Sequence, residues 1–191
     1  MPDPLPVSFF ARPTLEVARD LIGQIVVRRG QDGLVRSHQI VEVEAYTQDD
    51  PACHAFRGPT KRAGILFGPP GIAYVYFIYG MYHCLNAVTE QDGVAGAVLI
   101  RGLRGEKLNG PGKLCRELDI DRSHNGLPLF DNASPVYFAR GEGADLLEVE
   151  TTPRIGISKA QDRLWRYIVK DEPGAKNQRK IQKKSTKNPK K

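Results

Sequence analysis

A chain of 191 residues, 40% apolar and 26% charged, has the size and composition of one soluble globule with its own core. No apolar run approaches the ~20 residues of a membrane span, and the opening MPDPLPVSFFARP lacks the charged start and long apolar stretch of a secretion signal, so a cytoplasmic protein is expected. The net charge of +6 does not describe the body: the segment 174–191 holds eight Lys or Arg and no acid, which leaves 20 bases against 22 acids elsewhere. The division expected is therefore a folded unit over 1–173 and a basic, disordered tail over 174–191 that binds polyanions only weakly.

In chain order, Thr14–Leu21 (TLEVARDL) sets Leu15, Val17, Ala18 and Leu21 at helical spacing, with Thr14 after Pro13 as the expected N-cap. Gly23 stops this helix. Residues 24–29 and 35–46 read as two strands of a hairpin around Gln31-Asp32-Gly33. The stretch 49–71 is rich in Pro, Gly and charge and reads as a long functional loop. Residues 73–78 and 81–88 form aromatic-rich strands around a Tyr79-Gly80 corner, and Gln91-Asp92-Gly93 turns the chain into a strand over 94–102. Gly110-Pro111-Gly112 opens a helix through Leu118, and further strands are expected at 136–139, 147–150 and 164–169. Strands outnumber helices and most connections are hairpin-length. The expected fold is α+β: a single mixed domain built on a curved antiparallel sheet with flanking helices.

Two segments carry candidate chemistry. In HQIVEVEAY (38–46), strand alternation sends Val41, Val43 and Ala45 to the core and puts Ile40, Glu42, Glu44 and Tyr46 on the other face. Glu44, two residues from Tyr46 and just before the long loop, suits a general base beside an aromatic wall, with a solvated strand face as the plainer alternative. Glu42 is expected to matter much less. The run YVYFIYGMYHCLN (74–86) holds four of the seven tyrosines. Tyr79 at its corner is a poor core residue and a good wedge for a base stack.

The remaining candidates are weaker alone. The pairs Cys53-His54 and His83-Cys84 lack metal-ligand spacing, so no metal and no cofactor are expected, and the three cysteines read as reduced thiols. His54 is taken as a hydrogen-bonding pocket residue and His83 as a strand residue. Arg101, at the end of AVLIRGL, could pair with Glu44, hold it ionised and fix a water between them. Gly110-Pro111-Gly112-Lys113 places backbone N–H groups and a lysine where a phosphate could sit, although Gly-Pro is also an ordinary helix start.

Together these segments resemble a known family, the alkyladenine (3-methyladenine) DNA glycosylases. The carrying stretches are FFARPTLEVARDLIG, VEVEAY, DPACHAFRGPTKR, FGPPGIAYVYFIYGMYHCLN, AVLIRGL, NGPGKLCRELDI and PRIGI, in family order from about residue 9 to about residue 169. The resemblance implies a metal-free, monofunctional enzyme that flips a damaged purine from the duplex and hydrolyses its bond to the sugar. It implies Glu44 as the general base. Arg101 would help hold the attacking water, as would the main-chain carbonyl of Ile155. Tyr46, His54 and Tyr76 would enclose the flipped base, and Asn86 on the pocket floor would disfavour the exocyclic amine of guanine. Tyr79 would fill the gap in the stack. Thr60, Arg62, Tyr82, Lys113 and Gly156 would contact the DNA strand. The substrates implied are 3-methyladenine, 7-methylguanine, hypoxanthine and ethenoadenine; the partner is double-stranded DNA, engaged by a monomer.

This sequence departs from the family pattern in four places. The loop from Glu44 to His54 is one residue short, Ala63 replaces the usual asparagine, the stretch from Arg101 to Gly110 is shortened, and the usual ending after Tyr167 gives way to the lysine tail. Two other function classes compete. A non-catalytic binder of damaged nucleic acid would keep the tyrosines but not need Glu44 with Arg101. An RNA-binding or formyltransferase-type domain would need neither the wedge tyrosine nor the pairing of Glu44 with Tyr46.

Overall fold

The computed structural model describes residues 2–170. The expected tail over 174–191 and the boundary at 173 lie outside them. The chain opens with a short helix α1 (Val7–Phe10) and the amphipathic α2 (Thr14–Leu21), which buries Val17, Ala18 and Leu21 against the sheet. Its bounds match the helical spacing, but Thr14 is not the cap. Pro13 holds the N-cap position, and Thr14 is the first helical residue. The carboxylate of Glu90 accepts both the Thr14 N–H and its hydroxyl, each at 2.6 Å, so a distant side chain satisfies the free end of the helix.

Eight strands follow: β1 (Ile25–Arg29), β2 (Val35–Thr47), β3 (Ala73–Ile78), β4 (Tyr82–Val88), β5 (Gly96–Leu103), β6 (Val136–Ala139), β7 (Val149–Thr152) and β8 (Arg166–Val169). They form one curled antiparallel sheet in the order β3-β4-β5-β2-β1-β6, with β8 also on β2 and β7 on β8. The helix α3 (Pro111–Glu117) packs on β4 and β5. The mixed α+β domain on a curved sheet is thus the observed fold. Several strand starts fall later than the patterning predicts because hydrogen-bonded turns use the first residues. Met81 N–H bonds Ile78, Val94 N–H bonds Gln91, and Leu147 closes a 3-10 turn over Ala144–Leu146. No helix among the described residues is long and apolar enough to cross a membrane.

The strand β2 is the spine. Its first half pairs with β1, and its second half lies between β5 on one side and β8 on the other. Residues 40–45 are consequently buried without a break, which corrects the expected division into a core face and an outer face. Ile40 joins Val41, Val43 and Ala45 in the main core. The cause is a double register shift against β5. From Ile40 to Glu42, two steps of β2 match one step of β5; from Glu42 to Val43, one step matches two. The extra residue on β5 is Arg101, so a bulge turns that side chain toward β2.

Candidate active site

A cleft of about 630 Å³ opens between the centre of β2, the β3–β4 hairpin, the start of α3 and the segment after β7. Ten of the residues singled out from the sequence line it: Glu44, Tyr46, His54, Tyr76 and Asn86 with Tyr79, Tyr82, Arg101, Lys113 and Gly156. Thr60 and Arg62 are not on its walls. Thr60 is exposed and its hydroxyl accepts the Ala63 N–H at 3.0 Å. Arg62 is also exposed; its guanidinium lies 4.8 Å from the Tyr76 ring centroid, and its Nε donates to the Tyr74 hydroxyl at 3.3 Å.

Glu44 is fully buried because strands flank it on both sides. Its Oε1 accepts the Ile155 N–H at 2.7 Å and its Oε2 accepts the Tyr46 hydroxyl at 2.7 Å. Burial pushes its pKa above the usual carboxylate value, against the opposing pull of Arg101, the Ile155 N–H and the Tyr46 hydroxyl; the Glu42 charge pushes the same way as burial. The Tyr46 hydroxyl is itself driven far up by burial and then by the Glu44 charge, so it stays a donor. Arg101 forms the expected ion pair with Glu44, 3.4 Å from its Oε1, but its hydrogen bond goes to Glu42, at 2.9 Å, because the bulge aims it between the two. Ile155, expected beside the attacking water, also holds Glu44 directly through its N–H.

Aromatic rings make the cleft walls. His54 lies edge-on to Tyr76 at 4.9 Å and to Tyr74 at 6.1 Å, and its Nδ1 is 3.0 Å from the Tyr74 hydroxyl. The residue sits at the exposed rim, but its ring is tucked against the two tyrosines. That desolvation, then the Arg62 charge, lowers its pKa to about 4, so His54 is neutral at neutral pH. Tyr46 is backed by Arg154, whose guanidinium lies 4.6 Å from the ring centroid and is paired with the buried Asp50. Asn86 is buried, and its Nδ2 donates to the carbonyls of Tyr74 at 3.0 Å and Cys84 at 3.3 Å, which fixes the amide on the cleft floor.

Tyr79 is 77% exposed at the hairpin tip. It has φ +56° and Gly80 has φ +67°, the pattern of a type I′ turn, closed by Met81 N–H to Ile78 at 3.3 Å. A tyrosine is strained in this left-handed region, and only Gly80 occupies it freely. The turn carries the ring outward at the cleft mouth. Lys113, also on the cleft lining, is exposed, its Nζ donating to Asn109 Oδ1 at 3.2 Å.

The sequence reading missed three parts of the site. Glu42 is 6% exposed and held by Arg101 and Arg166 rather than solvated. Arg166, 1% exposed, gave no local sign of its role. The Asp50–Arg154 pair joins residues 104 apart, and an aspartate in a turn-rich loop gives no local sign of it.

The chain was also compared with known proteins. A model of the methylpurine-DNA glycosylase family matches residues 8–173. A Rickettsia felis protein named "Putative 3-methyladenine DNA glycosylase" is 50% identical over 173 residues, covering 87% of this chain and 93% of its own. Proteins of the same name from the Wolbachia of Brugia malayi and from Ehrlichia ruminantium are 49% and 43% identical, each covering 86% of this chain and 96% and 88% of their own.

Proposed function

The chain belongs to the methylpurine-DNA glycosylase family, and from that premise we propose how its cleft releases a damaged purine and which purines it takes. The protein is a hydrolase that acts on N-glycosyl bonds of DNA, in the repair of methylated purines. A duplex base cannot reach a buried carboxylate without leaving the stack, so the purine is flipped into the cleft. Tyr79 fills the gap it leaves, and Tyr82, Lys113 and Gly156 hold the strand beside the cleft. Thr60 and Arg62 meet the strand further along.

The flipped purine lies between Tyr46 and the His54–Tyr76 wall. Glu44 takes a proton from the attacking water, and its anion stabilises the positive charge that develops on the sugar as the bond to the purine breaks. Arg101 helps hold that water. Alkylated purines carry positive charge and are favoured by the electron-rich rings and by a neutral His54. Asn86, locked by two bonds, disfavours a guanine exocyclic amine at the floor, a cost that the positive charge of 7-methylguanine offsets. The substrates so extend from 3-methyladenine and 7-methylguanine, favoured by their charge, to the neutral hypoxanthine and ethenoadenine, which lack guanine's exocyclic amine. No lysine serves as a nucleophile on the sugar, so the enzyme releases the base and leaves the strand intact. It acts as a cytoplasmic monomer, with residues 1–173 as the catalytic domain and 174–191 as an accessory basic tail.

The observation that carries this reading is one carboxylate, fully buried yet open to an aromatic cleft, held by a backbone N–H and a tyrosine hydroxyl. It favours an enzyme over a non-catalytic binder, which has no use for a carboxylate desolvated at such cost. The test is base release from duplexes carrying one lesion each, by the wild type and by Glu44→Gln. Release by the wild type alone supports the reading. Equal release by both removes Glu44 from the mechanism. Release of methylated purines without hypoxanthine or ethenoadenine narrows the substrate range.

A further inference from the structure

Besides Glu44 and Arg101, the same strands bury a second carboxylate and a second guanidinium to which the reaction assigns no part. Glu42 Oε1 accepts from Arg101 Nε at 2.9 Å and from Arg166 Nε at 2.7 Å. Arg166 reaches it from β8 and is steadied by Nη1 to the Thr152 hydroxyl on β7, at 2.8 Å. β5 makes room: a Cβ on Gly102 would lie 3.0 Å from Glu42 Cβ and 3.2 Å from Glu42 Oε2. Four strands thus fix one carboxylate that touches no substrate. Buried ion pairs are a poor way to gain stability, since well-packed apolar residues serve as well. The position of this one points to another use.

We propose that Glu42 is a positioning residue: anchored on Arg166, it draws Arg101 away from Glu44 and leaves the Glu44 carboxylate free to take the proton of the attacking water. This rests on Glu44 being the base. The geometry is a competition of two carboxylates for one guanidinium. Arg101 hydrogen-bonds Glu42 and stands 3.4 Å from Glu44 without a hydrogen bond. Each Glu44 oxygen already accepts one hydrogen bond, so of about four acceptor sites two remain, and a third donor on Oε1 would halve what is left for the water. The charges also balance, two carboxylates against two guanidiniums, so Glu44 can ionise in a dry site without leaving a net charge.

The groups that bear on Glu44 come from every side. They are Glu42 and Tyr46 on β2, Arg101 on β5, and the Ile155 N–H with Arg154 after β7. Cys84 on β4 faces it, and Tyr76 on β3 acts on Tyr46. Arg166 on β8 reaches it through Glu42. Of these, Glu42 and Arg166 lie outside the cleft lining and away from the donors of Glu44, whereas Arg154, also outside the lining, stacks on the donor Tyr46.

The experiment is single-turnover release of methylated purines from duplex DNA by the full chain, as a function of pH, for Glu42→Gln and Arg166→Gln. In Glu42→Gln, Arg101 turns onto Glu44 and the cluster holds a surplus positive charge. The plateau rate should fall about ten- to a hundredfold, as for a misplaced reacting group, and the acid limb should move to lower pH, with lesion-DNA affinity retained. In Arg166→Gln, Glu42 has Arg101 to itself and the surplus charge is negative, so the acid limb should move the opposite way, to higher pH. Limbs that stay at the wild-type pH, or shift together, overturn the proposal, even where the rates fall. If circular dichroism shows Glu42→Gln unfolded, the limb of Arg166→Gln decides alone: a rise supports the proposal and any other result overturns it. Wild-type release by Glu44→Gln would instead sink the reading of Glu44, which these limb directions do not test.

Discussion

Glu44 and Tyr79 face one cleft from opposite kinds of backbone. Glu44 sits mid-strand with β5 and β8 on either side and no exposed surface. Tyr79 stands at a hairpin tip, 77% exposed, with a left-handed backbone. Each is costly to the fold in its own way, one by desolvation of a charge and the other by backbone strain. The difference separates two jobs. A group that takes a proton gains from a dry, fixed place, whereas a group that enters a base stack must project where the protein cannot support it.

The largest expected effect breaks the chemistry and spares the other region. Glu44→Gln should lose about 10²–10⁴-fold in single-turnover base release, the range for general acid–base residues. Its affinity for lesion-bearing duplex should stay near that of the wild type, because Tyr79 and the cleft walls are intact. Tyr79→Ala should do the reverse. The loss of a wedge exposes part of an unstacking cost of a few kcal/mol, equivalent to about ten- to a hundredfold in release from duplex. The loss should be clearly smaller on a bulged lesion, which is already unstacked. Equal losses on duplex and bulge would remove Tyr79 from flipping.

Stability should divide the two regions again. The folded-state pKa of Glu44 is raised above the ordinary 4.5. Its contribution to stability is therefore full below that value and is lost as pH rises through the folded pKa. Glu44→Gln has no such loss, so its melting temperature should exceed the wild type's at neutral pH, with the gap closing as pH falls toward 4. A melting difference that is flat with pH would show that Glu44 is not strained by its charge. The same titration sets the acid limb of wild-type activity above the ordinary carboxylate range. His54, lowered to about 4, should add no second limb near 6.5.

The sequence made these two regions legible to different depths. Local features wrote the hairpin: Tyr79-Gly80 between two aromatic strands predicts a corner with a projecting ring, and the structure has one. Alternation also put Glu44 beside Tyr46, and they hydrogen-bond. It could not show that β8 covers the edge of this half of β2 opposite β5. β8 arrives with Arg166, 124 residues beyond Glu42, and that pairing turns Glu42 from a solvated neighbour into a buried anchor. Nor does a two-residue period contain the bulge that gives Arg101 to Glu42 first. Thr14 failed as a cap for a like reason, since its partner Glu90 lies 76 residues away.

The smallest effect sharpens the comparison most, because stability and function should move in opposite directions at one residue. Tyr79 and Gly80 both have positive φ, as a type I′ turn requires, and asparagine–glycine is the pair such turns favour. Tyrosine is disfavoured in that region, and at 77% exposure it gives little packing in return. Tyr79→Asn should therefore relax the turn and stabilise the fold by about 0.5–1 kcal/mol, a rise of roughly 1–4 °C in melting temperature for a domain of this size. It should still lose base release from duplex as Tyr79→Ala does, since no ring remains to enter the stack. Thermal melts and duplex release on the same preparation check both halves. A variant that melts lower than the wild type would mean the ring contributes packing at the tip, and the strain would then not be the mark of a residue kept for DNA.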